Sequence, residues 1–284
     1  MKVAIIGLGL IGGSIGVALK KSNWRSAKVT GYVRRSKTGS TALRLGMIDQ
    51  ASSSLKQTVK GAELVIVATP VLTIKDIFRE IAPHIASDST VTDVASTKVK
   101  VMSWAEELLP SHVSFIGGHP MAGREISGII AAQPDLFRNC TYCLTPGLHA
   151  KPRALQLVED MVQSLGARPI IIDAEEHDDM VAGISHLPFL ISAALVSATC
   201  QNPIWPKMSL LASSGYRDVT RLASGSPEVN AHICHTNQKP INAWIDDFIK
   251  EMQEIQSLLS ADSNGIEKYL ATAQKARQKW LEKR

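Results

Sequence analysis

The sequence predicts an α/β protein with an N-terminal parallel sheet domain, residues 1–173, and an all-helical C-terminal domain, residues 174–284. Three observations predict this. Short continuous apolar runs alternate with helix-like segments as far as Ile172, a glycine-rich turn closes the first run, and no strand-like run is evident after Asp173. Taken in order, Val3–Ile6 is a β-branched run ending in glycines, and Ser14–Lys21 has helical character. Val29–Val33, Leu64–Ala68 and Thr90–Val94 are further apolar runs, Ser114–Ile116 is a weaker one, and Thr141–Leu144 and Pro169–Ile172 complete the set. Ile74–Ile85 and Lys98–Leu109 show helix-like spacing between them. Strands apolar at every position, alternating with helices, belong to a parallel sheet covered on both faces. Beyond residue 173 the chain reads as long helices, including Ala174–Ile184, Leu187–Cys200 and Pro240–Leu259. Helices this apolar in about 110 residues predict partial burial against a second copy, hence a homodimer.

Composition narrows the class. With 45% hydrophobic and 20% charged residues, the 284-residue chain is globular rather than disordered, and 5% aromatics leave Val, Ile, Leu and Ala to build the core. Four cysteines make no disulfide scaffold. Met1-Lys2 runs straight into Val3–Gly7, which leaves no room for a leader. Met180–Pro206 carries no charge, but Ser185, His186 and Pro188 interrupt it, and the apolar stretch Leu187–Cys200 is 14 residues, the length of a core helix rather than a bilayer span. A cytoplasmic protein without membrane contact is expected. The first 48 residues hold nine Lys or Arg and no Asp or Glu. That is either a solvated basic face or the mark of a phosphate-bearing partner. With no nucleic-acid-binding module beside it, nucleic acid is not expected.

Gly7-Leu8-Gly9-Leu10-Ile11-Gly12 is a G-x-G-x-x-G between a strand and a helix. Gly7 permits the tight turn, Gly9 lets the backbone approach a pyrophosphate, and Gly12 allows close helix–strand packing, so the domain is Rossmann-like. Backbone N–H groups at Leu10 and Ile11 then face the anion. The acidic residue that holds a ribose 2′-hydroxyl in NAD sites is replaced by Val33, followed by Arg34, Arg35 and Ser36. A 2′-phosphate suits two arginines, so NADP is expected, with NAD as the weaker alternative. Thr69, Ser96 and Lys98 follow the third and fourth main strands, where a nicotinamide would lie, although Ser96 also suits a helix N-cap.

Three polar clusters remain: Gly117–Gly123 with His119 and Pro120, Ser185–Pro188 with His186, and Ser213–Arg221 with Ser214, Arg217 and Arg221. A histidine between glycines and a proline suits an exposed, oriented imidazole whose near-neutral titration fits a general base. These runs resemble the prephenate and arogenate dehydrogenases of tyrosine biosynthesis. Gly-Gly-His-Pro-Met-Ala-Gly at 117–123 is the most specific match, and Asp93–Lys98, Ser185–Pro188 and Gly215–Arg221 follow the family order. The resemblance covers essentially the whole chain, which leaves no place for an appended chorismate mutase or ACT domain. It implies NAD(P)-dependent oxidative decarboxylation of a cyclohexadienyl acid, prephenate or arogenate, with no metal. His119 would be the base and Ser96 would orient it or the nicotinamide. Arg221 would bind a substrate carboxylate and His186 would anchor the substrate, with Arg217 and Ser214 in second rank, since Arg217 could equally pair with Asp218.

Other signals are discounted. Cys140-x-x-Cys143 lacks a second pair and is read as ordinary thiols. His177 among Glu175, Glu176, Asp178 and Asp179 is read as a solvated acidic helix start, and residues 275–284 as a basic helix face. Two alternatives are a two-domain NADP oxidoreductase of the β-hydroxyacid dehydrogenase or imine reductase type, and an NADP-sensing protein without turnover.

Overall fold

The computed structural model describes residues 1–123, 128–260 and 264–283, and the chain divides into two compact units, Met1–Gln238 and Lys239–Arg284. The first unit is built on one sheet of β1 (Lys2–Ile6), β2 (Lys28–Tyr32), β3 (Gln50–Ser52), β4 (Leu64–Val67), β5 (Thr90–Asp93), β6 (Ser114–Pro120), β7 (Thr141–Pro146) and β8 (Arg168–Ile171). Their order is β3-β2-β1-β4-β5-β6-β7-β8, with parallel pairing except between β6 and β7. The helices that follow or precede these strands are α1 (Leu10–Lys21), α2 (Ser36–Arg44), α3 (Leu55–Val59), α4 (Ile74–Ile81), α5 (Val99–Leu108) and α6 (Pro152–Ser164).

Continuous apolar strands arise because both sheet faces are covered. Val3 and Ile5 pack with Ile15, Leu19, Val158 and Val162 from α1 and α6. Ala4 and Ile6 point the other way, into a cluster with Ile74, Phe78 and Val101 from α4 and α5. Two features depart from the sequence expectation. Strand β3 carries no apolar signal, because Gln50-Ala51-Ser52 is a short, largely exposed edge held by backbone pairing to Thr30–Tyr32. Strand β6 does not end at Ile116; it runs through Pro120, because residues 116–120 pair antiparallel with Tyr142–Pro146. The whole Gly-Gly-His-Pro run is therefore strand.

Beyond the sheet, α7 (Ala174–Val181), a π-helical turn (Ala182–His186) and α8 (Leu187–Cys200) form one continuous helix of 27 residues. The 14-residue apolar stretch is thus not a separate element. Among the described residues this is the one helix long and apolar enough, by length and composition alone, to cross a membrane. It is succeeded by α9 (Trp205–Met208), α10 (Ser214–Thr220), a single turn at Arg221–Ser224 and α11 (Pro227–Thr236). The second unit holds α12 (Gln238–Ser260) from its second residue on and α13 (Asn264–Leu281), where the Tyr269 hydroxyl donates to Glu251 at 2.7 Å. The basic stretch from Lys275 to Lys283 is exposed; Arg284 lies outside the described residues.

Candidate active site

The glycine-rich turn has a different constraint at each glycine. Gly7 has φ +105°, and a Cβ there would lie 2.5 Å from the Ala68 carbonyl oxygen. A Cβ on Gly12 would lie 2.0 Å from the Gly7 carbonyl oxygen. Gly9 is the opposite case: among the described residues nothing lies within 4 Å of its Cβ position, and it starts α1 with no side-chain cap. The amino end of α1 at Gly9, Leu10 and Ile11 is therefore an open cradle for an anion, as a pyrophosphate requires. Gly9→Ala should leave thermal stability unchanged yet raise the KM for dinucleotide. Gly12→Ala should lower the melting temperature, since backbone must move. Equal loss of stability in both would contradict the distinction.

Thr69, half-buried beyond β4, lies beside Gly7 and accepts a 2.9 Å hydrogen bond from Thr73. Arg34, Arg35 and Ser36 are exposed at the start of α2. Val33 ends the run that begins with β2. It is 8% exposed and its methyls pack toward Gly39, so its side chain belongs to the core.

His119 lies at the carboxyl end of β6, the same sheet edge as the glycine-rich turn after β1. Three strand spacings separate β1 from β6, roughly 14 Å. The expected exposed imidazole is in fact buried, 8% exposed, because the strand continues past it and α7 covers it. Its Nδ1 is 2.9 Å from His177 Nε2, and His177 Nδ1 is 2.8 Å from Asp178 Oδ1. Burial first, then the neighbouring His177, Lys98 and His186, hold His119 well below the ordinary histidine range.

Lys98 does not line an open pocket, as the sequence suggested. It is fully buried, and its Nζ donates to Asp93 Oδ2 at 2.6 Å and to the Gly118 carbonyl at 2.7 Å. Asp93 Oδ1 accepts from the Gly118 N–H at 3.0 Å. Both backbone groups of the residue before His119 are thus held by this ion pair. Ser96 is half-buried between β5 and α5 and is not the helix cap. The cap comes from Asp178, whose Oδ1 accepts from Lys98 N–H at 2.7 Å and Oδ2 from Val99 N–H at 2.9 Å.

His186 sits in the π-turn, 1% exposed, with burial lowering its pKa to about 4. Its Nδ1 is 3.2 Å from Asn237 Nδ2, which also donates to the Asp178 carbonyl at 2.7 Å, while its buried Nε2 has no hydrogen-bond partner among the described residues. Ser214, Arg217 and Arg221 lie elsewhere, exposed on α10 and the turn that follows, which pack on α8. Arg217 is 3.6 Å from Asp218, both exposed. Sequence reasoning missed Asn237 and misread His177 and Asp178, which are 0% and 1% exposed rather than solvated. The signal available was the odd placement of one histidine among four carboxylates.

A Rossmann-type nucleotide turn, a buried imidazole across the sheet edge and a helical second half define a two-part pyridine-nucleotide dehydrogenase. The chain matches the prephenate dehydrogenase nucleotide-binding domain over residues 15–171 and the prephenate dehydrogenase dimerization domain over 173–274. It belongs to the prephenate dehydrogenase family, oxidoreductases of aromatic amino acid biosynthesis. Relatives include the prephenate dehydrogenase of Bacillus subtilis, 37% identical across 95% of this chain and 74% of that protein. The cyclohexadienyl dehydrogenase of Zymomonas mobilis is 30% identical across 97% and 94%. The prephenate dehydrogenase of Aquifex aeolicus, solved with hydroxyphenyl propionate and NAD+, superposes with a TM-score of 0.91 at 27% identity, covering 98% of both chains. The arogenate dehydrogenase of Synechocystis has a TM-score of 0.84 at 31% identity, covering 99% of this chain and 100% of that one.

Proposed function

We propose that this chain oxidatively decarboxylates prephenate or arogenate, with NADP preferred to NAD and His119 as the base. The bound dinucleotide supplies the hydride acceptor for ring carbon 4. His119 takes the 4-hydroxyl proton as the C–O bond gains carbonyl character, and returns it to the phenolate oxygen after the carboxylate on carbon 1 has left as CO2. Arg221 binds a substrate carboxylate, His186 anchors the substrate, Ser96 orients the imidazole or the nicotinamide, and Arg217 and Ser214 assist. The single observation behind this reading is the His119 ring: buried, uncharged at neutral pH, and on the sheet edge that carries the open face of Gly9.

The division of labour falls at residue 173, with nucleotide binding before it and substrate binding and dimerisation after it. A second copy covers the apolar surface left by Ile184, Ile204, Leu210 and Leu211, which are 72%, 59%, 83% and 85% exposed. A homodimer in the cytoplasm then accounts for the long apolar helix without a membrane.

Following absorbance of the reduced nicotinamide with both substrates and both cofactors tests the reading. NADP preference rests on exposed Arg34 and Arg35 where NAD sites carry an acid. Arg34→Ala should raise the KM for NADP by about 10- to 100-fold, the worth of a charge-assisted hydrogen bond, and leave NAD use within about twofold. Equal efficiency with both cofactors in the unaltered enzyme would remove the preference, and absence of turnover with either substrate would remove the activity.

A further inference from the structure

We infer that Asp178 sets the proton positions on both histidines of the site, through His177 to His119 and through Asn237 to His186. It is a positioning residue, and the inference rests on His119 being the base.

Some atoms around the two histidines can only accept a hydrogen bond. The Asp178 carbonyl oxygen is one, so the Asn237 atom 2.7 Å from it is the amide nitrogen. The second hydrogen of that nitrogen faces His186 Nδ1 at 3.2 Å. Nδ1 is then the acceptor, and the proton of the neutral ring sits on Nε2, the atom that is buried without a partner among the described residues.

The carboxylate of the same residue works in the other direction. It accepts from the Lys98 and Val99 N–H groups at the amino end of α5, where a helix favours an anion. Its contact with His177 Nδ1, 2.8 Å, therefore has the ring as donor. That leaves a lone pair on His177 Nε2, which accepts from His119 Nδ1 at 2.9 Å and leaves the lone pair of His119 on Nε2. The two site histidines are thus held in opposite tautomers: Nε2 of His119 takes a proton, and Nε2 of His186 donates a hydrogen bond to a substrate oxygen.

Among the described residues, the charged and titratable groups facing His119 are His177 on α7, Lys98 before α5 and His186 in the π-turn, with Lys98 itself paired to Asp93. When His119 gains the substrate proton on Nε2, its Nδ1 proton can move to His177 Nε2. The charge is then shared by two rings that end on the Asp178 carboxylate.

Nitrogen-15 NMR of histidine-labelled enzyme reads the tautomers directly, without turnover. The expected result is Nδ1–H on His119 and Nε2–H on His186. Asp178→Asn should move the His119 proton to Nε2 and lower kcat by about 10²-fold, the scale of a positioned base, with KM within about threefold and the His186 signals unchanged. Asn237→Asp removes the donor, so it should move the His186 proton to Nδ1 and raise the substrate KM by about tenfold. Nε2–H on His119 in the unaltered enzyme, or full kcat in Asp178→Asn, overturns the inference. The unaltered-enzyme spectrum decides even where a variant fails to fold. Failure of the underlying reading is distinguishable, because it shows as full kcat in His119→Asn.

Discussion

Replacing His119 by Asn is expected to lower kcat by about 10²- to 10⁴-fold, the usual worth of a positioned general base, while dinucleotide affinity stays within about twofold. Asn approximates the ring's Nδ1 side and can still donate to His177 Nε2, but it has no titratable lone pair to receive the 4-hydroxyl proton. The pH profile carries a second prediction with a definite sign. A base must be neutral to act, and burial first, then the neighbouring His177, Lys98 and His186, depress the pKa of His119. The acid limb of kcat/KM therefore lies below pH ~6.5, the ordinary histidine value; a limb centred there would mean that the imidazole is solvated. The same depression links to stability. The unfolded chain binds protons on His119 and His186 as pH falls below ~6.5 while the folded chain refuses them, so stability is complete above that value and is lost toward the His186 value of about 4. Melting temperature measured across this window checks the linkage independently of turnover.

Much of this site was legible in the sequence, for reasons that also explain what was not. The glycine-rich turn could be read because Gly7 and Gly12 are there for steric necessity, which spacing reports, and Gly9 for the open space above it. The apolar strands could be read because both sheet faces are buried. Strand β3 could not, since an exposed edge such as Gln50–Ser52 needs no side-chain pattern to pair through its backbone. His119 was singled out by its glycine neighbours, but the open environment expected for it is the reverse of the buried one it has. Gly118 lacks a side chain because Asp93 and Tyr142 crowd it, a Cβ there lying 2.4 Å from the Asp93 carbonyl oxygen, and not because the loop is open. Asp178 was misread for a similar reason. A run of acidic residues at a helix start normally faces water, and only the fold brings the amino end of α5, 80 residues earlier in the chain, onto that carboxylate. Charge patterning along one helix cannot report a partner supplied by another.

The Asp93–Lys98 pair gives the largest expected effect on stability. Pairing of β5 with β6 ends at Thr92 opposite Ile116, and past that point the Asp93 side chain takes over the Gly118 N–H while Lys98 takes its carbonyl. Asp93→Ala leaves an ammonium in the core with one carbonyl for company, and should cost about 3–5 kcal/mol, the penalty of breaking a buried pair. Denaturant titration measures this. Removing both charges, as Asp93→Leu with Lys98→Met, should recover most of that loss, because a well-packed apolar pair avoids the desolvation that the ions undergo. Activity should not return with it. Gly118 would have lost both anchors, and the neighbouring imidazole its fixed place; misplacement by about 1 Å can cost about 10²-fold in rate. Recovery of stability without recovery of kcat separates the pair's role in holding β6 from its role in holding the core, whereas a double variant with full kcat would show that the strand positions His119 unaided.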